Sequence, residues 1–188
     1  MREINVFDFD DTIYNGDSSI DFYLFCLIEN IFLIRYLPVQ IYGMLMYKLK
    51  RKPKEYFKEE FFSFLKGIKD IDKKIQKFWR KNSKKINKQI LYDKTNIVII
   101  SASPRFLLEP ICNELNIEKL IATEVESKTG KFISKNCYGK EKINRLNKEY
   151  DNYTINEFYS DSKSDIYLAE NAQKSFLVKK DKIDKWNL

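Results

Sequence analysis

Residues 3–12 read EINVFDFDDT, and the rest of the chain is best read outward from them. Polar and apolar positions alternate from Glu3. Ile4, Val6, Phe7 and Phe9 suit a short buried strand. Three carboxylates, Asp8, Asp10 and Asp11, then crowd together where that strand should end. In an open α/β sheet, ligands bind beyond the carboxyl ends of the strands, so an acidic cluster there is a candidate site.

Beyond the cluster the chain changes character twice. From Asp17 to about Tyr92 the pattern is helical, with Phe22, Phe25, Cys26 and Ile28 and then Phe57, Phe61, Phe62 and Leu65 at helical spacing. Lys66-Gly67 marks a helix end, and Asp70 or Asp72 suits the next N-cap. From Asn96 onward, short apolar runs alternate with helical stretches. Strands are expected at 96–100, 120–123, 155–159 and 175–178, and helices at 104–115, 139–150 and 163–169. Thr129-Gly130-Lys131 reads as a hairpin turn. This alternation predicts an α/β fold, a Rossmann-like doubly wound parallel sheet. Its core is expected to comprise residues 1–13 and 93–188, with 14–92 inserted as an all-helical cap.

Composition narrows the chemistry. The chain has 188 residues, no His, and three widely spaced cysteines, Cys26, Cys112 and Cys137. A disulfide framework, a thiolate–imidazole zinc site and any Ser–His or Cys–His nucleophile pair are thereby disfavoured. Buried, reduced thiols in a cytoplasmic protein are expected. The net charge of +7 is uneven: residues 48–94 carry 17 Lys and Arg against 6 Asp and Glu. Such a segment attracts anions, but the whole chain is rich in Lys, Asn and Ile, so nucleic acid is disfavoured as a partner. The run from Phe22 to Leu49 is apolar, yet its longest charge-free stretch is the 12 residues from Tyr36 to Tyr47. A span needs roughly 18 residues, so buried helices are preferred to a membrane segment, and a membrane is disfavoured as a partner, at its surface as well as across it.

The residues after each expected strand carry the functional reading. Asp8, Asp10 and Asp11 follow the first, Ser101-Ala102-Ser103 the second, and Ser160-Asp161-Ser162-Lys163-Ser164-Asp165 the third. Lys140 and Lys142 open the helix before that third strand. Crowded carboxylates repel one another unless a hard cation sits among them. Mg²⁺ takes oxygen ligands and only a few carboxylates. A carboxylate can also be a phosphoryl-accepting nucleophile, with a lysine and a hydroxyl binding the transferring oxygens.

These residues resemble the motifs of the haloacid dehalogenase superfamily. Asp8-Phe-Asp10-Asp-Thr12 is similar to its first motif, Ser101 to its second, Lys142 to its third, and the Asp161–Asp165 pair to its fourth. The stretches SASPRFLLEPI, IATEVESKTGKF and CYGKEKINRL resemble the phosphoserine-phosphatase-like branch, in which a helical cap follows the first motif. The resemblance implies a Mg²⁺-dependent phosphatase acting on a small phosphomonoester. Asp8 would be the nucleophile and Asp10 the general acid and base, with Thr12 supporting the turn. Ser101, the backbone N–H of Ala102, and Lys142 would bind phosphate. Asp8, the Asp10 carbonyl and Asp161 would hold the metal, with Asp165 behind them. Asp17 would read a substrate amine. The sequence departs from the branch where glycines usually stand: Ser160 and Ser162 flank Asp161, and Asp11 follows Asp10.

Each assignment has a plain structural rival. Ser101 or Ser103 suits the N-cap of the helix at 104, Asp17 an N-cap of the first cap helix, and Asp165 a cap of the helix that follows it. Lys140 competes with Lys142, although Ile143 and Leu146 give Lys142 the apolar neighbours of the branch pattern. Two other activities fit the same residues. One is a phosphotransferase or broad-specificity scavenging phosphatase, which would transfer phosphate to an added alcohol. The other is a non-catalytic module binding anions or nucleic acid through the basic cap, which would show a salt-dependent gel shift.

Overall fold

The computed structural model describes residues 2–180 and 182–187. Among them six strands form one sheet, in the order β3-β2-β1-β4-β5-β6. β1 (Arg2–Phe7) is central. β2 (Ile97–Pro104) and β3 (Lys119–Thr123) lie on one side of it, and β4 (Tyr153–Ser160), β5 (Ala172–Lys179) and β6 (Lys182–Lys185) on the other. β1 to β5 are parallel, and β6 runs antiparallel to β5. The strand order reverses about β1, as expected for a doubly wound sheet, and the crevice of that switch point opens at Asp8. β6 is not expected from the sequence. All four of its residues are exposed, so it carries no apolar alternation to read.

The second half follows its expected alternation, with ends shifted by a few residues. α5 (Arg105–Glu114), α6 (Lys140–Glu149) and α7 (Ile166–Ala169) connect the strands. β2 extends through Ser101, Ala102 and Ser103 instead of stopping at Ile100. The expected hairpin forms at Gly130. Gly130 N–H donates to the Glu126 carbonyl at 2.8 Å, and Glu126 N–H to the Lys131 carbonyl at 2.8 Å.

Between β1 and β2 the chain is helical: α1 (Ser18–Glu29), α2 (Leu37–Lys48), α3 (Lys54–Phe61) and α4 (Ile71–Asn82), with short 3-10 turns between and after them. Asp70 caps α4, accepting from the Lys73 N–H at 3.2 Å. The chain leaves and returns through a narrow neck. There Asn15 N–H donates to the Lys85 carbonyl at 2.9 Å, and Asn87 N–H to the Ile13 carbonyl at 2.8 Å.

The core divides between the faces of the sheet. On one face Ile4, Val6, Ile100 and Phe158 pack with Ile143 and Leu146 of α6 and Leu168 of α7. On the other, Phe7, Phe9, Ile99 and Tyr159 join Leu107 and Leu108 of α5 and Phe22, Phe78 and Trp79 of the insertion. The insertion is thus welded to the sheet by apolar contact, and the Trp79 indole N–H donates to the Leu107 carbonyl at 2.7 Å.

One expectation fails. The apolar run Phe22–Leu49 does not supply buried helices throughout. α1 buries Phe22, Phe25 and Cys26, but α2 buries only Gln40 and Gly43. α2 is apolar around most of its circumference, so no single stripe aligns it, and only the side facing α1 and α3 finds cover. The three cysteines are buried and free, and burial pushes the thiols of Cys26 and Cys112 up to about 12 and that of Cys137 to about 11. They are therefore poor nucleophiles.

Candidate active site

Three strand ends meet at one point. Asp8 follows β1 directly, and its N–H donates to the Tyr159 carbonyl of β4 at 2.9 Å, which holds the residue at the switch point. Lys142, near the start of α6, is buried and reaches across the sheet edge. Its Nζ donates to Asp8 Oδ1 at 2.8 Å and to Asp165 Oδ2 at 2.6 Å. Burial opposes the charge of this ammonium, but Asp8 and Asp165 outweigh burial and hold it well above the usual lysine range. Asp165 is anchored from behind by the Ser160 hydroxyl at 2.8 Å.

Asp10 points elsewhere. Its Oδ1 accepts from the Ser18 N–H at 2.7 Å, at the start of α1, and its Oδ2 accepts from the Ser103 hydroxyl. Burial and the neighbouring charge of Asp17 push its carboxyl up to about 7, although the Ser103 and Ser18 hydrogen bonds pull the other way. The loop between Asp8 and Asp17 needs unusual backbone. Asp11 sits at φ +50°, a left-handed conformation that Gly prefers and Asp tolerates. The first and fourth loops are joined where Thr12 Oγ1 accepts from the Asp161 N–H at 3.0 Å. Asp161 lies against Asp8; burial, then the charges of Asp8 and Asp11, push its carboxyl up to about 7.

A cavity of about 370 Å³ opens over these groups. Asp8, Asp10, Ser101, Lys142 and Asp161 line its floor, and Ile20, Lys54, Phe57, Lys58 and Phe61 its roof. Three residues of α3, Lys54, Lys58 and Glu59, close this roof onto the core. Lys58 Nζ donates to the Ala102 carbonyl at 3.0 Å and to Asn136 Oδ1 at 3.1 Å. Glu59 accepts from the Phe132 N–H at 2.9 Å. The Lys54 ammonium sits 3.7 Å from the centre of the Tyr138 ring. Burial, then the charge of Lys54, lowers the Lys58 ammonium to about 8. The hairpin braces this roof: a Cβ on Gly130 would stand 2.6 Å from the Phe62 carbonyl oxygen, so only glycine fits.

A family model described as haloacid dehalogenase-like hydrolase matches residues 6–170. The chain belongs to this family. No curated protein matches it. Among solved structures, a protein of unknown function from Bordetella pertussis Tohama I aligns with TM-score 0.73 and 19% identity, over 93% of this chain and 89% of that one. A phosphoserine phosphohydrolase-like protein from Francisella tularensis subsp. tularensis SCHU S4 aligns with TM-score 0.58 and 20% identity, over 93% and 86%. A substrate-bound phosphoserine phosphatase aligns with TM-score 0.53 and 15% identity, over 93% and 85%. At these identities the likeness is one of fold.

In this hydrolase the residues singled out from the sequence all reach one cavity or its immediate support. Lys142 is buried on Asp8, whereas Lys140 stands apart, 6.0 Å from the Tyr167 ring centre. Neither serine caps α5, whose N-cap is Pro104 with no side-chain bond. Ser101 Oγ accepts from the Ser103 N–H at 3.0 Å, and Ser103 serves Asp10. Asp165 makes no capping bond. Asp17 caps α1, accepting from the Ile20 N–H at 2.9 Å, and also borders the cavity.

The donor set suits a hard cation in chemistry. Asp8 and Asp161 bring two carboxyls together, and Asp165 Oδ1 is buried without a hydrogen-bond partner among the described residues. No group of three or more His, Cys, Asp or Glu side chains among the described residues forms a ready metal cage. The Asp10 carboxylate is turned away from Asp8 and Asp161, toward Ser18 and Ser103. Mg²⁺ tolerates so sparse a protein set because water and phosphate complete it.

Sequence reasoning misses Lys58, Phe57, Tyr138 and Asn136. Lys58 is one lysine among many in a basic segment, and nothing in its spacing sets it apart.

Proposed function

We propose that this hydrolase is a Mg²⁺-dependent phosphatase that cleaves a small phosphomonoester through an aspartyl-phosphate on Asp8. The observation that carries the proposal is Lys142, buried and bonded to both Asp8 and Asp165 on the cavity floor that Asp10 shares. A buried ammonium between two carboxylates at a strand end pins the nucleophile and offers charge to a phosphoryl group.

In this reading Asp8 attacks phosphorus while Asp10 protonates the departing alcohol oxygen. A carboxyl raised to about 7 carries a proton near neutral pH, as a general acid must. Asp10 then takes a proton from the water that attacks the phospho-aspartate. Ser101, the Ala102 N–H and Lys142 hold the phosphoryl oxygens. Asp8, Asp161 and the Asp10 carbonyl would hold Mg²⁺, with Asp165 in support. When bound, the ion neutralises the crowded carboxylates and polarises the phosphoryl group. Residues 14–92 act as the cap over a core of 1–13 and 93–188. Lys54 and Lys58 favour an anionic substrate body, Phe57 and Phe61 cover its apolar part, and Asp17 is positioned for a substrate amine.

Hydrolysis of an aryl phosphate with Mg²⁺ and with EDTA tests the proposal, comparing wild type with Asp8→Asn. Loss of the nucleophile should lower kcat by on the order of 10⁴- to 10⁶-fold, and EDTA should abolish turnover. Undiminished turnover by folded Asp8→Asn would sink the mechanism. Folded wild type without activity on this ester or on a panel of small phosphomonoesters would sink the phosphatase reading.

A further inference from the structure

We propose that the outer face of α1, the 3-10 turn Ile31–Tyr36 and α2 docks onto the surface of an anionic lipid bilayer. The starting observation is uncovered apolar surface. Ile20, Leu24 and Ile28 form an exposed stripe along α1, and Ile28 is 86% exposed. Beyond it Ile31 is 65% and Phe32 77% exposed. On α2, Leu37, Val39, Ile41, Met44 and Leu45 are exposed as well. The two helices are neighbours: the 3-10 turn Ile31–Tyr36 joins them, and on their buried side the Tyr23 hydroxyl of α1 donates to Gln40 of α2 at 2.8 Å, while Gln40 donates to the Phe61 carbonyl at 2.8 Å. Contiguous apolar surface of this kind marks an interaction site, unlike scattered single residues. α4 supplies the contrast within the same insertion: it buries Ile75, Phe78 and Trp79 and turns its lysines outward.

The charges around the face choose its occupant. On α1, Asp21 and Glu29 are each paired with a lysine, Lys85 and Lys74, and from Ile31 to Lys52 there is no Asp or Glu, while Arg35, Lys48, Lys50, Arg51 and Lys52 stand there. A second copy of this face would set cations against cations. An anionic headgroup layer over hydrocarbon supplies both the counter-charge and the apolar cover. Tyr42 and Tyr47, each partly exposed on α2, suit the interface, where one end of the ring is wet and the other apolar. The segment lies on the surface and does not cross: α2 has 12 residues, and no helix among the described residues is long and apolar enough to span a membrane. Because Ile20 belongs to the stripe and also to the cavity wall, docking brings the edge of the cavity to the headgroup layer.

Vesicle flotation of the purified full chain tests this. The probes are vesicles of phosphatidylcholine alone and vesicles of an equimolar mixture with phosphatidylglycerol. Binding is expected to the mixed vesicles and to weaken with salt. Lys50→Gln with Arg51→Gln should lower the partition coefficient about thirtyfold. Ile41→Asp with Leu45→Asp should lower it by on the order of a hundredfold. Circular dichroism melting checks that both variants remain folded; as their altered side chains are solvent-facing, melting near the wild-type temperature is expected. Failure of folded wild type to float with the mixed vesicles overturns the proposal, as does undiminished flotation of both variants. A dimer in sedimentation equilibrium that the Ile41→Asp, Leu45→Asp variant dissolves would assign the face to a second copy instead.

Discussion

The floor and the roof of the cavity are built from different materials. At the carboxyl ends of β1, β2 and β4 the floor consists of charges that satisfy one another, with Lys142 shared by Asp8 and Asp165 and Asp10 held by Ser18 and Ser103. On α1 and α3 the roof consists of lysines and apolar side chains held by a few contacts to loops of the core. The floor is stiff because each group fixes its neighbour at the edge of a parallel sheet. The roof is attached through exposed or half-buried side chains, which are the groups most easily parted by local opening. Mutations should therefore act differently on the two: floor changes on stability and chemistry, roof changes on substrate affinity.

Removing the shared cation is expected to have the largest effect. Lys142→Ala leaves Asp8 and Asp165 buried without compensation, a change of the kind that costs about 3–5 kcal/mol. Urea denaturation should show this as a lower midpoint at unchanged slope. A midpoint equal to wild type would mean that the floor is not the rigid element its hydrogen bonds imply.

A second effect sharpens the electrostatic half of the comparison. The carboxyls of Asp10 and Asp161 are raised from 3.8 to about 7, so the folded chain holds protons that the unfolded chain has released between those values. Without metal, the stability these groups contribute should thus be full below about 3.8, fall as pH rises from there to about 7, and level off above it. Mg²⁺ held as proposed on Asp8 and Asp161 favours the deprotonated Asp161, so it should raise the melting temperature more at pH 8 than at pH 6. At a hundredfold excess over its Kd the gain at pH 8 is about 2.7 kcal/mol. Equal shifts at both pH values would separate the metal from Asp161.

The smallest effect tests the roof. Lys58→Met removes a cation from the cavity wall together with its bonds to Ala102 and Asn136. KM for a small phosphomonoester should rise about tenfold, in line with one charge-assisted hydrogen bond, while kcat changes little. A fall in kcat with unchanged KM would move Lys58 from the roof's role to the floor's.

The floor is legible in the sequence because its residues follow strands. Once Ile4–Phe9, Ile97–Ile100 and Ile155–Tyr159 are read as strands of one sheet, Asp8, Ser101 and Asp161 must converge, since parallel strands put their carboxyl ends on one edge. The choice of Lys142 over Lys140 also rests on local pattern, the apolar Ile143 and Leu146 that turn α6 onto the sheet. The roof offers no such lever. Helices of the insertion can be recognised one by one, but which face of α3 meets the cavity depends on how α1, α2 and α3 lean on one another.

By itself, then, the sequence determined the doubly wound sheet, the place of the helical insertion and the acidic strand ends, because each follows from periodicity and chain order. Tertiary structure alone decided four things. It added β6, all of whose residues are exposed, to the edge of the sheet. It directed Ser103 to Asp10 instead of to a helix cap. It brought Lys58 from a run of unremarkable lysines into the cavity. And it left α2 uncovered where an apolar run had promised burial. The physical reason is common to all four: burial and partner choice depend on which elements pack together, and sequence periodicity fixes the face of an element without saying what will cover it.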